Sequence, residues 1–259
     1  QSVYDFGLNG SKPTHPELLD WLAVELMNRD WSMKHIHWLI VTSAAYRMSS
    51  SADRADEMTR QYDPDNQFLW RMNLRRMEAE LVRDSVKYLA DDLSLEMGGP
   101  ELASDLENPS PRRSIYFRHT RDDRLVMLRL FDAAGVQQCY RRNEAIIPHQ
   151  ALALVNSSVV LQSARWVAGH LSRSAGDVNG DFVDRAFQHT LGRSPSRAER
   201  EQCVDFLITQ SKLLRNPEGL TSFSTGPAHR VKASSEPLER ARENLVHVLF
   251  NHNDFVTIR

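Results

Sequence analysis

The sequence predicts a mainly α protein, an irregular multi-helix bundle of helix hairpins with long loops and at most a few short strands. Three observations carry that reading. Capping residues stand repeatedly just before apolar residues spaced near the helical period of 3.6. Breaks containing Gly or Pro separate these stretches. Strand-like pieces are short and confined to the neighbourhood of 114–120 and the C-terminal tail.

The elements follow in order. Thr14, with Glu17 three residues on, reads as a capping box. The helix it opens runs to about Asn28 and is expected to bury Leu18, Leu19, Trp21, Leu22 and Leu26. Ser32 caps a second helix through Ile36, Leu39 and Ile40 to about Ala45. Residues 49–67 are polar and end in Asp63-Pro64-Asp65-Asn66, a loop by its turn chemistry. A long helix is predicted from Arg75 to Leu93, with Met77, Leu81, Val82, Val86, Leu89 and Leu93 near the helical period. Gly98-Gly99-Pro100 breaks the pattern, and residues 98–113 read as an exposed loop. Ile115-Tyr116-Phe117 reads as a short strand, and Leu125 to Ala134 as a short helix stopped by Gly135.

Pro148 opens the next helix, where a missing N–H costs little. Its apolar face is Ala151, Leu152, Leu154 and Val155, and Asn156 with Ser157 ends it. Another helix spans about Val159 to Leu171, followed by a linker from Gly176 to Gly180. Phe182 to Leu191 is helical, with Gly192 as a left-handed stop. Ser196 caps a helix to about Leu214, residues 216–235 form a loop, and a last helix spans Glu236 to Asn251 before an extended tail, Phe255-Val256-Thr257. Two domains are expected: residues 1–173 as the main helical domain carrying the motifs, and 174–259 as a C-terminal helical subdomain packed on it.

With 259 residues, 41% hydrophobic and 25% charged, the chain is long enough to bury a core. A net charge of −2 supplies no global field to recruit nucleic acid or an anionic membrane. No apolar run approaches the ~20 residues of a membrane span. The two cysteines, Cys139 and Cys203, form no Cys-x-x-Cys, which removes zinc-ribbon and thioredoxin readings. A free buried cysteine is favoured over a Cys139–Cys203 disulfide. No Cys-x-x-Cys-His is present, so the chain itself is expected to carry no covalent haem.

Several motifs are bland on inspection. Asp5-Phe6-Gly7 matches a kinase triplet but has no partner motifs. His35 and His37 point to different faces of a helix and cannot share a metal as an i, i+4 pair does. Asp177-Val178-Asn179-Gly180-Asp181 opens like a calcium loop, but the sixth and twelfth places hold Phe182 and Gln188. Arginine is the better signal. Between residues 112 and 142 stand eight arginines against three aspartates, in a chain that is net negative. Guanidinium suits carboxylate, sulfate or phosphate. Arg141, Arg142 and Asn143 precede a predicted helix N-terminus, where free N–H groups favour an anion. Arg118 and His119 are the candidates to join them. The competing reading is internal salt bridging to acidic helices at 17–30 and 78–92.

Five blocks occur in a recognisable order: Asp5 to Gly10 with Pro13 to Ala23; Leu39 to Arg47; Asp63-Pro64-Asp65-Asn66, Leu69-Trp70-Arg71 and Arg75 to Glu80; Arg141-Arg142-Asn143 to Ser157; and Leu191 to Pro195. Together they resemble the planctomycete-type domain-of-unknown-function family 1553, the C-terminal domain of large secreted proteins that also carry a c-type cytochrome domain. The resemblance implies an exported protein, periplasmic or at the cell surface, with haem c in an upstream domain. It implies those upstream domains as partners, and a chain truncated at its N-terminus. It supplies no catalytic residues. Three functions follow: a helical interaction module with an anion site, an oxidative or hydrolytic enzyme domain acting on anionic polysaccharide, or a carbohydrate-binding module. The last needs an exposed aromatic platform and is disfavoured because most of the five Trp lie in helical apolar patterns.

Overall fold

The computed structural model describes residues 7–52, 55–137, 148–176, 178–216 and 230–258. Asp5-Phe6, Cys139, Arg141, Arg142, Asn143, Asp177 and most of the expected loop at 216–235 lie outside them. The chain is mainly α, as the sequence predicts. Its elements are α1 (Pro16–Asn28), α2 (Met33–Thr42), α3 (Glu57–Tyr62), β1 (Arg75–Arg76), α4 (Ala79–Leu89), α5 (Val126–Leu130), α6 (Pro148–Asn156), α7 (Ser158–Ala175), α8 (Asn179–Leu191), α9 (Arg197–Leu214), α10 (Pro237–Phe250) and β2 (Thr257–Ile258). Single 3₁₀ turns lie at Ser104–Leu106 and Ser114–Tyr116.

The chain divides into two compact units, Gln1–Arg75 with Ile258–Arg259, and Arg76–Thr257. This boundary differs from the expected one near residue 173, because α7 packs against both α8 and α10. A division there would cut through one bundle.

The larger unit is built around α7. Its Val160, Ala164, Val167 and Ala168 are fully buried. α10 supplies Ala241, Leu245, Val246 and Leu249; α8 supplies Phe182, Val183, Ala186 and Phe187; α4 adds Val82 and Val86. Burying such side chains supplies roughly 1.5–3 kcal/mol each before entropy is counted. Phe250 meets Phe255 edge-on at 5.1 Å and ties α10 to the tail that follows it.

Buried cations fasten the loops of this unit. Arg83 on α4 is wholly buried. It donates to the carbonyls of Glu107 (2.7 Å), Arg112 (3.1 Å) and Ser110 (3.4 Å), and lies 4.8 Å over the Phe117 ring. Beside it, Asp84 accepts from the Ser114 amide and hydroxyl at 2.9 and 2.7 Å. Burial pushes the Glu107 carboxyl up, against the pull of Arg83 and the amides of Met127 and Val126. Arg242 on α10 donates to the Gly176 carbonyl at 2.7 Å and covers the Phe182 ring at 4.8 Å. Gly176, at φ 60, is the left-handed residue that ends α7. Arg193 donates to both Glu199 carboxylate oxygens (3.0 and 2.7 Å) and to Asp254 (2.7 Å).

The caps at Ser32 and Ser196 form as predicted, and Ser196 with Glu199 makes a full capping box. Ser157, expected only to end the preceding helix, also caps α7. Gly192 takes the left-handed stop at φ 69. Other expectations need correction. Thr14 caps nothing: His15 is the N-cap of α1, with Pro16 behind it, and the Thr14 hydroxyl turns to the His15 ring. The helix expected from Arg75 begins at Ala79, because Arg75–Arg76 pair as a strand with Thr257–Ile258. It ends at Leu89, before Asp91 at φ 51. Residues 115–117 form a 3₁₀ turn with one bridge, Phe117 to Leu102, rather than a strand. The expected linker at 176–180 already contains the first turn of α8. There, Gly180 makes room for the Arg200 guanidinium, which pairs with Asp184.

The smaller unit is a helical hairpin followed by a knitted loop. Asp30 and Trp31, both at positive φ, turn the chain between α1 and α2. Glu25 on α1 accepts from Arg29 and meets the His35 ring of α2 at 2.7 Å, which holds its carboxyl below the ordinary range. The expected burial of α1 does not occur: none of its residues is buried. Leu18, Trp21 and Leu22 instead line a hollow of about 540 Å³ with Leu39, Ile40 and Tyr46. Among the described residues of this unit, only Ile36, Asp63 and Asn66 are buried.

Candidate anion-recognition pocket

The sequence-predicted anion set is not assembled among the described residues. Arg118 pairs with Glu101 at 2.9 Å and Asp123 at 3.6 Å. The His119 ring meets the Ala134 carbonyl at 2.9 Å. Arg141, Arg142 and Asn143 are outside the described residues. The neighbouring arginines are also engaged. Arg112 lies 4.1 Å over the Tyr116 ring and pairs with Glu96 at 3.3 Å, and Arg113 lies 3.9 Å from Asp84. These acids sit mainly in the 92–125 loop and at Asp84, so the pairing is short-range stapling rather than bridging to the helix at 17–30.

A different arginine set converges in the smaller unit, and the segment 63–73 explains how. The buried carboxylate of Asp63 accepts the amides of Gln67 (2.7 Å) and Phe68 (2.8 Å). Asn66 sits at φ 55, a left-handed conformation its short polar side chain tolerates. Its amide group donates to the Arg71 carbonyl at 2.7 Å and to the Asn73 side chain at 3.0 Å, while its oxygen accepts from the Arg71 amide at 3.2 Å. Two buried polar side chains thus satisfy the backbone of a loop that has no regular structure. The Asp63 carbonyl also accepts the Trp70 indole N–H at 2.9 Å, which fixes the indole. The Arg71 guanidinium lies over the Trp70 ring at 5.0 Å.

Trp70 and Arg71 are thereby presented to an open pocket of about 980 Å³. Arg47, which follows α2, and Arg60 on α3 line it too, with Ser49 and Ser50. The Arg60 guanidinium donates to the Ala52 carbonyl. No carboxylate lines the pocket among the described residues. Among those residues, neither Arg47 nor Arg71 has an ion-pair partner. Three guanidinium groups, two serine hydroxyls and an indole are donors and an apolar wall with no acceptor of full charge. That arrangement is matched to an anion.

Of the pocket residues, Arg47, Pro64, Trp70 and Arg71 fall inside two of the blocks singled out in the sequence, and Arg60 stands outside them. The family model described as "PSD1: Protein of unknown function (DUF1553)" matches residues 1–207. The chain belongs to this family. No curated protein and no solved structure matches it. The matched range of the DUF1553 family contains the whole pocket, together with α1 to α8 and most of α9. Among the described residues no group of three or more His, Cys, Asp or Glu is placed to hold a metal ion. Among the described residues no helix is long and apolar enough to cross a membrane.

Sequence reasoning missed Arg47, Arg60 and Arg71 as a set. They are well separated along the chain, and Arg47 and Arg60 stand outside any arginine cluster. The available signal was Trp70-Arg71 directly after a turn-forming Asp-Pro-Asp-Asn run.

Proposed function

We propose that the chain is a recognition module that binds an anionic ligand through Arg47, Arg60 and Arg71. In its parent protein it would work beside a haem-bearing domain in the exported compartment, as the family resemblance implies. The observation that carries the reading is the lining itself: three arginines share one pocket whose described lining contains no carboxylate. Internal pairing accounts for Arg112, Arg113 and Arg118 but not for these three. A pocket of this size accommodates a ligand of several sugar rings or a comparable polyanion. The Trp70 indole contributes an apolar wall, so affinity need not rest on charge alone.

Sucrose octasulfate, a compact polyanion, is a suitable probe in calorimetric titration of the whole chain. Arg71→Ala is expected to weaken binding about tenfold, the loss of one charge-assisted contact. Arg129→Ala, at an exposed arginine of the other unit, is expected to change it little. Added salt should weaken the interaction, since the pocket is open. Affinity unchanged in Arg47→Ala, Arg60→Ala and Arg71→Ala alike would overturn the proposal.

A further inference from the structure

Trp70 borders two hollows. On one side is the arginine pocket. On the other is a hollow of about 610 Å³ lined by Met48, Ser49, Asp56, Thr59 and Trp70. The two share Met48, Ser49, Ser51 and Trp70, so they adjoin at the indole. Their chemistry is opposite. The first offers cations and no described carboxylate. The second offers hydroxyls, an apolar thioether and one carboxylate, Asp56, held low by the Thr59 hydroxyl and amide. Its acidic group disfavours a second anion and suits the hydroxyls of an uncharged group.

Resting on the anion-binding reading, we propose that the two hollows are adjacent subsites for an acidic oligosaccharide. A sulfated or carboxylated ring occupies the arginine side, and the next, uncharged ring occupies the side of Asp56 and Thr59. Trp70 lies between them as the surface on which a sugar ring rests. Three features single out a saccharide over a bare anion. The indole is held edge-on by the Asp63 carbonyl, which leaves the face not covered by Arg71 for contact. Arg71, stacked at 5.0 Å, places a cation beside the aromatic wall. The hydroxyl-bearing hollow continues past the point where a simple anion would end. A ligand charged on every ring would bring a negative group against Asp56, so the site selects alternation of charge.

The test uses the whole chain and two galactose-based tetrasaccharides. One alternates sulfated galactose with uncharged anhydrogalactose, and the other is sulfated on every ring. The alternating tetrasaccharide is expected to bind at least as tightly as the fully sulfated one, despite its lower charge. Trp70→Ala should weaken it about tenfold, with less loss in Trp70→Phe, which keeps an aromatic face. Binding should also change the tryptophan fluorescence of the native chain and not that of Trp70→Phe. Saturation-transfer NMR should label the ring protons of the uncharged sugar. If affinity instead follows charge alone, and neither Trp70 variant changes it or the fluorescence response, the saccharide assignment is overturned. In that case loss of binding in Arg71→Ala still supports the anion reading. If the arginine variants also bind normally, the anion reading fails with it. Should Trp70→Ala unfold, Trp70→Phe with Thr59→Val carries the test, and normal binding by both contradicts the proposal.

Discussion

α1 and α7 are both rich in aliphatic residues, and the molecule uses them in opposite ways. α7 buries nine of its residues among α4, α6, α8 and α10, while α1 buries none. The same contrast holds for polar groups. In the larger unit, Arg83, Lys87 and Arg242 are almost completely shielded and tie loops and helix ends to the core. In the smaller unit the buried polar groups, Asp63 and Asn66, hold a loop that presents side chains outward. A buried arginine with three carbonyls, a hydroxyl and a carboxylate as partners is a fastening; Arg47 and Arg71, with no ion-pair partner among the described residues, are free to engage a ligand. The comparison teaches that arginine content alone does not locate a site. What each guanidinium already touches does.

Changes that break the contrast can be ranked. The largest effect is expected at Arg83→Ala, which leaves three loop carbonyls without their donor in a buried site. The cost should be roughly 3–5 kcal/mol in denaturant unfolding. Phe182→Ala should cost a similar amount through its cavity. Asn66→Ala removes one buried side chain from the smaller unit, and should cost about 1–3 kcal/mol while weakening polyanion binding. Loss of stability with unchanged binding would detach the loop from the site.

A smaller effect concerns pH. The hydrogen bonds from Arg193 hold the Glu199 carboxyl down to about 2, below its ordinary value of 4.5. A lowered carboxylate stabilises the folded chain above its ordinary value and loses that contribution as pH falls toward 2. Arg193→Ala should therefore flatten the stability profile between pH 4.5 and 2, as read by melting temperature. The two side chains are about one-third exposed, so screening limits the size of the effect. The smallest effect is expected at Trp38→Ala. This indole is 60% exposed, and the change should stay within about 0.5 kcal/mol.

How much of this was legible in the sequence depended on distance along the chain. Ser32, Ser196 and Gly192 act within four residues, so their roles could be read directly. Thr14 failed for a local reason: the helix began one residue later, behind Pro16. The burial of α1 failed because an apolar stripe states what a helix can bury, not what lies opposite. Arg83 reaches partners 24 to 31 residues away, beyond any pattern in a single sequence. The anion reading selected the right residue type in the wrong segment. Local charge density favoured 112–142, where nearby acids pair with Arg112, Arg113 and Arg118. The pocket arginines are scattered, and only the turn at Asp63 to Asn66 and the neighbouring α3 bring them to one lining.

The central claim is that residues 76–257 form the stable scaffold and the smaller unit carries the recognition site. Hydrogen–deuterium exchange of the whole chain, read peptide by peptide with and without the alternating sulfated tetrasaccharide, tests both halves. Without ligand, amides of α1 and α2 should exchange well before those of α7 and α10. With ligand, protection should appear in peptides covering 47–71 and leave α7 unchanged. Equal protection of α1 and α7 in the free chain, or ligand protection confined to 112–137, would contradict the account.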